Sequence, residues 1–234
     1  MLIKTGIINI LFVLTSHSQM GETGHKTGFW VEEFANPYYT LADAGVKITI
    51  ATPKGGAAPI DPTSNLPQNA TEDTKRFNKD EAVQNMVKET IALADINFED
   101  YDAVFYPGGH GPLWDLAEDT TSAKLIQDFY SANKPIAFVC HAPAALKHVY
   151  NEEGEFLVKG KNVTGFSNEE EEAVQLTKVV PFLVEDMLKE NGGIYCRGEV
   201  WAAHAVQDGN LITGQNPASS SLVAEILLNK LQKK

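Results

Sequence analysis

The segment Pro135–Leu146 (PIAFVCHAPAAL) places a thiol beside an imidazole at the end of a short apolar run. Such a run is typical of a buried strand, and Pro143 suits the first turn of a helix. The sequence therefore predicts that Cys140 lies on a sharp strand-to-helix turn, the geometry of a nucleophile elbow. The helix amino terminus would favour the thiolate, which attacks electrophiles. The alternative is a buried structural cysteine, which is common for this residue type.

A pair of glycines follows another apolar run, residues 102–107. Gly108 and Gly109 allow the backbone to approach a substrate closely and to present N–H groups as an oxyanion hole. The amide of His141, directly after the candidate nucleophile, would supply a further donor. The alternative is an ordinary tight turn after a strand.

An acid on a predicted helix could share a proton with this thiol. At about 100° per residue, Glu33 lies at the edge of an apolar arc that contains Trp30. Glu32 points roughly the opposite way, so we expect it to be solvated. A carboxyl group among aromatic side chains has a raised pKa, which predicts that Glu33 works beside Cys140. The alternative is that both acids lie on the helix surface.

A run of four acids, Glu169–Glu172, follows Asn168. One of them could orient His141 and complete a Cys–His–acid arrangement. The alternative is a solvated first helical turn, where acidic residues suit the helix dipole. The spacing alone leaves open which acid, if any, has this role.

The elements that must position these residues alternate between strand and helix. We predict strands at Gly6–Thr15, Val46–Thr52, Asp102–Pro107 and in the run before Cys140, and helices at Lys26–Ala42, Asp80–Ala94, Ser122–Asn133 and from Pro217 to about Leu231. The alternation predicts a doubly wound α/β fold, with a mostly parallel sheet flanked by helices. Val200–Val206 and Leu211–Thr213 flank an Asp-Gly turn and predict a small antiparallel hairpin. No linker or repeat interrupts the chain, so residues 1–234 are expected to form a single domain.

The composition excludes several functional classes. The net charge of −12 argues against a nucleic-acid or anionic-membrane surface. No apolar run approaches the ~18 residues of a membrane span. The first apolar stretch lacks the cleavage site of a secretory leader, and two cysteines favour free thiols, so we expect a cytoplasmic location. No phosphate-binding, dinucleotide-binding or His-Glu-x-x-His motif occurs, and His17, His25 and His110 show no ligand spacing, so neither a cofactor nor a metal is predicted.

With these residues identified, the sequence resembles the ThiJ/PfpI superfamily, which has the class I glutamine amidotransferase-like (flavodoxin-like) fold. It is most similar to the branch of heat-shock chaperones and glutathione-independent glyoxalases. The motifs that carry the resemblance are KTGFWVEE (26–33), GHG (109–111), VCHAP (139–143), TGF (164–166) and TGQNPAS (213–219). Ala142 departs from the Gly that usually follows Cys-His.

The resemblance implies a nucleophile at Cys140, its partner at His141, an acid at Glu33 and a third acid that corresponds best to Glu171. It implies a lyase of the glyoxalase III (D-lactate dehydratase) type that converts a small dicarbonyl, methylglyoxal, to lactate through a hemithioacetal on Cys140. Deglycase and chaperone activity in stress are further implications, and a homodimer is the expected assembly.

Three other classes compete with this interpretation. A glutamine amidotransferase is disfavoured because neither His148 nor His204 has a Glu two residues later. A cysteine peptidase or amidase would need an exposed cleft, and a holding chaperone or redox sensor would need an exposed apolar patch and an oxidisable Cys140.

Overall fold

The fold is built on a central sheet that is parallel except at one edge. The computed structural model describes residues 6–233. Its strands are β1 Asn9–Val13, β2 Lys47–Thr52, β3 Ile91–Ala92, β4 Ala103–Tyr106, β5 Ile136–Val139, β6 Asn162–Val163, β7 Ile194–Tyr195, β8 Ala205–Asp208 and β9 Leu211–Gly214. The strand order in the central sheet is β3-β2-β1-β4-β5-β9-β8, and β8 is the antiparallel strand. A separate parallel pair is formed by β6 and β7.

Helices cover both faces of this sheet. Successive side chains of β1 point to opposite faces, so Leu11 and Val13 join one apolar cluster while Ile10 and Phe12 join another. The helices are α1 Val31–Asp43, α2 Glu72–Phe77, α3 Glu81–Lys88, α4 Thr120–Ser131, α5 Asn168–Ala173, α6 Val184–Glu190 and α7 Ser220–Gln232. Short 3-10 turns lie at Pro62–Asn65, Pro67–Asn69, Leu93–Asp95, Phe98–Asp100, Gly111–Leu113, Ala142–Leu146 and Pro217–Ser219. The predicted doubly wound, mostly parallel α/β fold is confirmed.

Three predicted elements differ most from the structure in their bounds. Helix α1 begins at Val31 instead of Lys26, because Phe29 is extended and exchanges backbone hydrogen bonds with Pro59 and Asp61. The helix predicted to reach Ala94 ends at Lys88, and β3 follows it by pairing with β2. The hairpin is shorter than predicted, since its first strand begins at Ala205.

The sheet order places the candidate site at one edge. The order reverses between β1 and β4, and ligands of such sheets bind beyond the carboxyl ends of the strands near that reversal. Gly108 follows β4 and Cys140 follows the neighbouring β5, so their loops lie side by side. Within residues 6–233, no helix combines the length and apolar character needed to cross a bilayer.

Candidate active site

The nucleophile candidate lies on a tight turn directly after β5. Cys140 has a left-handed backbone with φ of 62°, which is uncommon for a residue other than glycine. Both of its backbone groups are held, because its N–H donates to Gly214 O at 2.9 Å and its carbonyl accepts from Phe166 N at 2.9 Å. The strand therefore delivers the thiol at a sharp bend, and the helix after it is only the short 3-10 turn that begins at Ala142.

The thiol faces an imidazole whose far side is fixed by a carboxylate. Cys140 Sγ lies 3.2 Å from His141 Nδ1, and His141 Nε2 lies 2.6 Å from Glu171 Oε2. An ionised carboxylate only accepts hydrogen bonds, so the proton of neutral His141 sits on Nε2 and donates to Glu171. The lone pair of Nδ1 is then directed at the thiol, which gives the arrangement of a nucleophile, a base and an orienting acid.

A second imidazole shares the same carboxylate. His110 Nε2 lies 2.7 Å from Glu171 Oε1, and the rings of His110 and His141 are 3.9 Å apart at their centroids. Burial acts to raise the pKa of Glu171, but the charge of His141 and the hydrogen bonds from both histidines hold it well below its usual range. Burial, together with the charge on His110, lowers the pKa of His141 to about 4. At neutral pH His141 is therefore an uncharged base.

No catalytic role was predicted for His110, because its partnership with Glu171 joins residues 61 positions apart. The available signal was its position two residues after Gly108, in the loop that follows β4, the strand next to β5, after which Cys140 lies. His110, His141 and Glu171 also form a group whose donor atoms lie within 4.8 Å of one another, close enough for a metal ion. Their mutual hydrogen bonds already account for this arrangement.

The four consecutive acids have four different environments. Glu171 lies in the site, and Glu170 is buried beside it, where it accepts hydrogen bonds from Ser167, Trp201, Gln215 and Asn216. Glu169 is exposed and pairs with Arg197, while exposed Glu172 accepts a hydrogen bond from Thr177. The position at which the resemblance put the third acid, Glu171, is thus the one in contact with His141.

Glu33 occupies the other side of the thiol. Its carboxyl group is fully buried, and among the described residues no hydrogen bond of good geometry reaches either oxygen. Burial raises its pKa to about 8, an effect that the nearby Cys140 thiol and the Gly108 amide partly offset. Glu33 is therefore largely a neutral carboxylic acid at pH 7, able to donate a proton.

The environment of Cys140 differs from the sequence-based expectation. Burial, together with the charge and hydrogen bonding of Glu33, raises the pKa of the thiol well above its ordinary value. The expected lowering by a helix dipole is wrong, because the thiol is only 3% exposed and the helix beyond it is a five-residue 3-10 turn. In the free protein the resting pair is a thiol and a neutral imidazole.

The positions of Glu32 and of the glycine pair also differ from the sequence-based expectations. Glu32 is not fully solvated: it is half-buried in the cleft wall and accepts a hydrogen bond from Thr71, and burial raises its pKa to about 6. Gly109 lines the cleft, whereas Gly108 packs behind it, where a Cβ would lie 2.5 Å from Glu33 Oε2. A Cβ on Gly109 would lie 2.2 Å from Gly28 O, so both positions require glycine.

These groups surround a cleft of about 530 Å³. Its floor contains Cys140, His141, His110 and Glu33, and its walls add aromatic and polar side chains. The wall residues are Trp30, Glu32, Thr63, Gln68, Asn69, Ala70, Thr71, Gly109, Phe166, Val174, Trp201, Asn216, Pro217 and Ala218.

A buried cysteine on a strand-to-turn bend, served by a histidine and two acids on a parallel sheet, defines a class of cysteine-dependent α/β proteins. Within that class, the chain belongs to the DJ-1/PfpI family, whose sequence model matches residues 26–230. The resemblance found in the sequence is thus confirmed.

Three relatives illustrate the similarity. The glutathione-independent glyoxalase HSP31 of Saccharomyces cerevisiae is 28% identical over 92% of this chain and 94% of its own. The crystal structure of glyoxalase III from Candida albicans matches with a TM-score of 0.88 and 27% identity, over 95% of this chain and 96% of that one. The rapid encystment protein of 24 kDa from Francisella tularensis matches with a TM-score of 0.92 and 38% identity, over 96% and 99%. The glyoxalase relatives support an enzyme.

Proposed function

We propose that this protein is a glutathione-independent glyoxalase that converts methylglyoxal and water to lactate with Cys140 as the thiol. The observation that carries the proposal is the placement of Cys140 Sγ 3.2 Å from the basic nitrogen of His141, with the protonated acid Glu33 beside the same sulfur. The names of the yeast relatives support the same reaction.

The first step adds the thiol to the aldehyde. His141 Nδ1 takes the proton of Cys140 as the sulfur bonds to the aldehyde carbon, and the carbonyl electron pair moves to oxygen. We expect the N–H groups of Gly109 and His141 to stabilise that oxyanion. His141 then returns the proton to the oxygen, which leaves a hemithioacetal and a neutral imidazole.

The second step moves hydrogen between the two carbons. Neutral His141 removes the proton from the former aldehyde carbon, while Glu33 donates its proton to the ketone oxygen, and an enediol forms. His141 then protonates the second carbon, and Glu33 recovers its proton from the first hydroxyl group. The first carbon is oxidised to a thioester and the second is reduced to an alcohol, so no external oxidant is needed.

Water completes the reaction by hydrolysing the thioester, which releases lactate and restores the Cys140 thiol. The net change adds one water to methylglyoxal. We further propose that the product is D-lactate, which makes the enzyme a lyase of the D-lactate dehydratase type. Because the chain supplies its own thiol, glutathione has no part in these steps.

The test is lactate formation from methylglyoxal without added thiol. We expect turnover by the wild-type protein and none by Cys140→Ala, while Cys196→Ala, which changes the other free cysteine, keeps the wild-type rate. Equal turnover by Cys140→Ala would remove Cys140 as the nucleophile. No turnover by the folded wild-type protein would favour a peptidase, deglycase or chaperone.

The remaining sequence-based expectations accompany this proposal. A cytoplasmic location, a homodimer and a single domain spanning residues 1–234 remain predictions, and residues 1–5 and 234 lie outside the described part of the chain. The roles assigned to Cys140, His141, Glu33 and Glu171 are likewise proposals that the variants described below test.

A further inference from the structure

The cleft is larger than methylglyoxal requires. Methylglyoxal has five non-hydrogen atoms, which at about the 30 Å³ that a water occupies in the liquid take up roughly 150 Å³. The cleft of about 530 Å³ lies instead in the range that encloses drug-sized ligands. The space beyond the reacting carbons is therefore available to a longer substrate chain.

One wall of that space is aromatic. Trp30, Phe166 and Trp201 line the cleft, and the rings of Phe166 and Trp201 lie 5.8 Å apart at their centroids. Phe166 packs on His141, which connects this wall to the reacting groups. The negative face of an aromatic ring attracts the slightly positive C–H groups of a carbon chain.

Trp201 is held in place by a buried carboxylate. Its backbone has φ of 63°, a left-handed conformation that is costly for tryptophan, and the residue remains 46% exposed. Its N–H donates to Glu170 Oε1 at 3.0 Å, and the same oxygen accepts from Gln215 and Asn216. A strained residue fixed by a buried network at a cleft indicates a functional position.

The segment between β2 and α2 contributes polar groups to the same cleft. Thr63, Gln68, Asn69 and Thr71 carry hydroxyl and amide groups that both donate and accept hydrogen bonds. Aromatic faces combined with side-chain amides and hydroxyls suit a carbon chain that carries hydroxyl groups.

The charge in the cleft disfavours an anionic chain. Glu32 and Glu33 are in its lining, and none of the described lining residues is Lys or Arg. A phosphate or carboxylate would meet the Glu32 carboxylate in a partly desolvated site, with no cation to pair with it.

We infer that the preferred substrate is a neutral 2-oxoaldehyde with a hydroxylated six-carbon chain, the class of dicarbonyl that hexoses yield and of which 3-deoxyglucosone is an example. This inference rests on the proposed function and uses the same steps. The thiol adds to the aldehyde, hydrogen moves from the first carbon to the second, and water releases the 2-hydroxy acid.

The first test compares 3-deoxyglucosone with methylglyoxal as substrates of the wild-type protein, with the 2-hydroxy acid products measured by mass spectrometry. We expect kcat/KM to be at least about tenfold higher for the six-carbon substrate, mainly through a lower KM. Turnover of methylglyoxal with no preference for 3-deoxyglucosone would overturn the inference and leave the proposed function standing. Turnover of neither substrate would overturn the proposed function itself.

The second test alters the aromatic wall. In Trp201→Ala, the ratio of kcat/KM for 3-deoxyglucosone to that for methylglyoxal should fall at least about tenfold, and Trp201→Phe should retain most of it. An unchanged ratio in Trp201→Ala would contradict a role for this wall. A ratio that falls equally in both variants would contradict the stacking of the chain on a ring.

The third test reverses the charge at the cleft wall. Glu32→Lys should raise kcat/KM for 3-hydroxypyruvaldehyde phosphate, an anionic three-carbon 2-oxoaldehyde, by at least about fivefold relative to methylglyoxal. Glu190→Lys makes the same change in net charge at an exposed position outside the cleft and serves as the control. Equal effects of the two substitutions, or no gain in Glu32→Lys, would contradict charge selection by the cleft.

Discussion

Glu33 and Cys140 compete for ionisation, because both are buried and face each other. The carboxyl pKa is about 8, and the charge of Glu33 contributes to the raised pKa of the thiol. Two such groups titrate as a pair, and the second ionisation is opposed by the first. The side chain that the reaction needs as a proton donor therefore also restrains the nucleophile in the free protein.

This competition predicts opposite effects of Glu33→Gln on alkylation and on turnover. The substitution removes the negative charge that opposes the thiolate, so iodoacetamide should modify Cys140 several-fold faster than in the wild type at pH 8 to 9. Turnover of methylglyoxal should fall at least about 100-fold, since the proton donor is lost. Rates of Cys140 modification are followed by peptide mass spectrometry, with Cys196 as the internal reference. Slower alkylation would show that Glu33 assists the thiolate instead.

The run of acids supplies its own matched controls. Glu171→Gln removes the charge that stabilises protonated His141, and an amide NH₂ facing His141 would reverse its tautomer. We expect kcat to fall at least about 100-fold in this variant, measured as lactate formation. Glu172→Gln makes the same chemical change one residue later on an exposed side chain and should stay within twofold of the wild type. Similar losses in the two variants would contradict the role of Glu171.

The amino-acid sequence located these groups because they stand next to recognisable local patterns. Cys140 and His141 are adjacent, and Glu33 follows from helical periodicity. The pairing of His110 with Glu171 was not predictable, because it depends on the loop after β4 meeting helix α5 at the sheet edge. The raised thiol pKa was missed for a related reason: burial is a property of the packed molecule, whereas the helix dipole could be argued from the sequence.

At the scale of the elements, the loop after β4 packs closely against the segment that leads into α1. A Cβ on Gly109 would lie 2.2 Å from Gly28 O and 2.7 Å from Trp30 N, in the segment that leads into α1. Gly154 has a similar left-handed backbone, with φ of 78° against 94°, but a Cβ there would meet nothing within 4 Å. Alanine substitutions at the two positions therefore separate the cost of a left-handed backbone from the cost of a clash between the new Cβ and its neighbours.

We expect Gly154→Ala to lower the free energy of unfolding by only about 1–2 kcal/mol, the cost of a left-handed alanine. Gly109→Ala must also move the α1 entry away from the cleft, so it should cost distinctly more and abolish turnover. Urea unfolding and lactate formation measure the two effects. Equal destabilisation by both substitutions would contradict the close approach of the β4 loop to the segment that leads into α1.

The element boundaries show where local sequence patterns stop being sufficient. Periodicity extended α1 back to Lys26, but residues before Val31 pair with the segment at Pro59. The helix predicted up to Ala94 ends at Lys88. The residues after it form β3, since edge pairing with β2 satisfies the backbone of Ile91 and Ala92. In both cases contacts between distant segments outweighed helical preference.

For the molecule as a whole, the candidate site makes stability depend on pH. In the folded protein the pKa of Glu33 rises from an ordinary value of 4.5 to about 8, so the folded state binds this proton more tightly than the unfolded chain does. The contribution of this proton to the free energy of unfolding is fully present below pH 4.5 and is lost as the pH rises from 4.5 through 8. A buried carboxyl that acts as an acid near neutral pH thus costs the fold stability at alkaline pH.

Glu33→Gln should remove this pH dependence, because glutamine does not titrate. The Tm difference between the variant and the wild type should be smallest near pH 5, grow in favour of the variant up to about pH 8.5 and then level off. With about 1.4 kcal/mol for each unit of pKa shift, the growth should be at least about 5 °C for a protein of this size. Thermal unfolding in buffers from pH 5 to 9 measures it, and any fixed cost of the substitution cancels in the change with pH. A difference that stays constant over this range would mean that Glu33 is ionised in the folded protein at neutral pH, and Glu33 could not then be the proton donor.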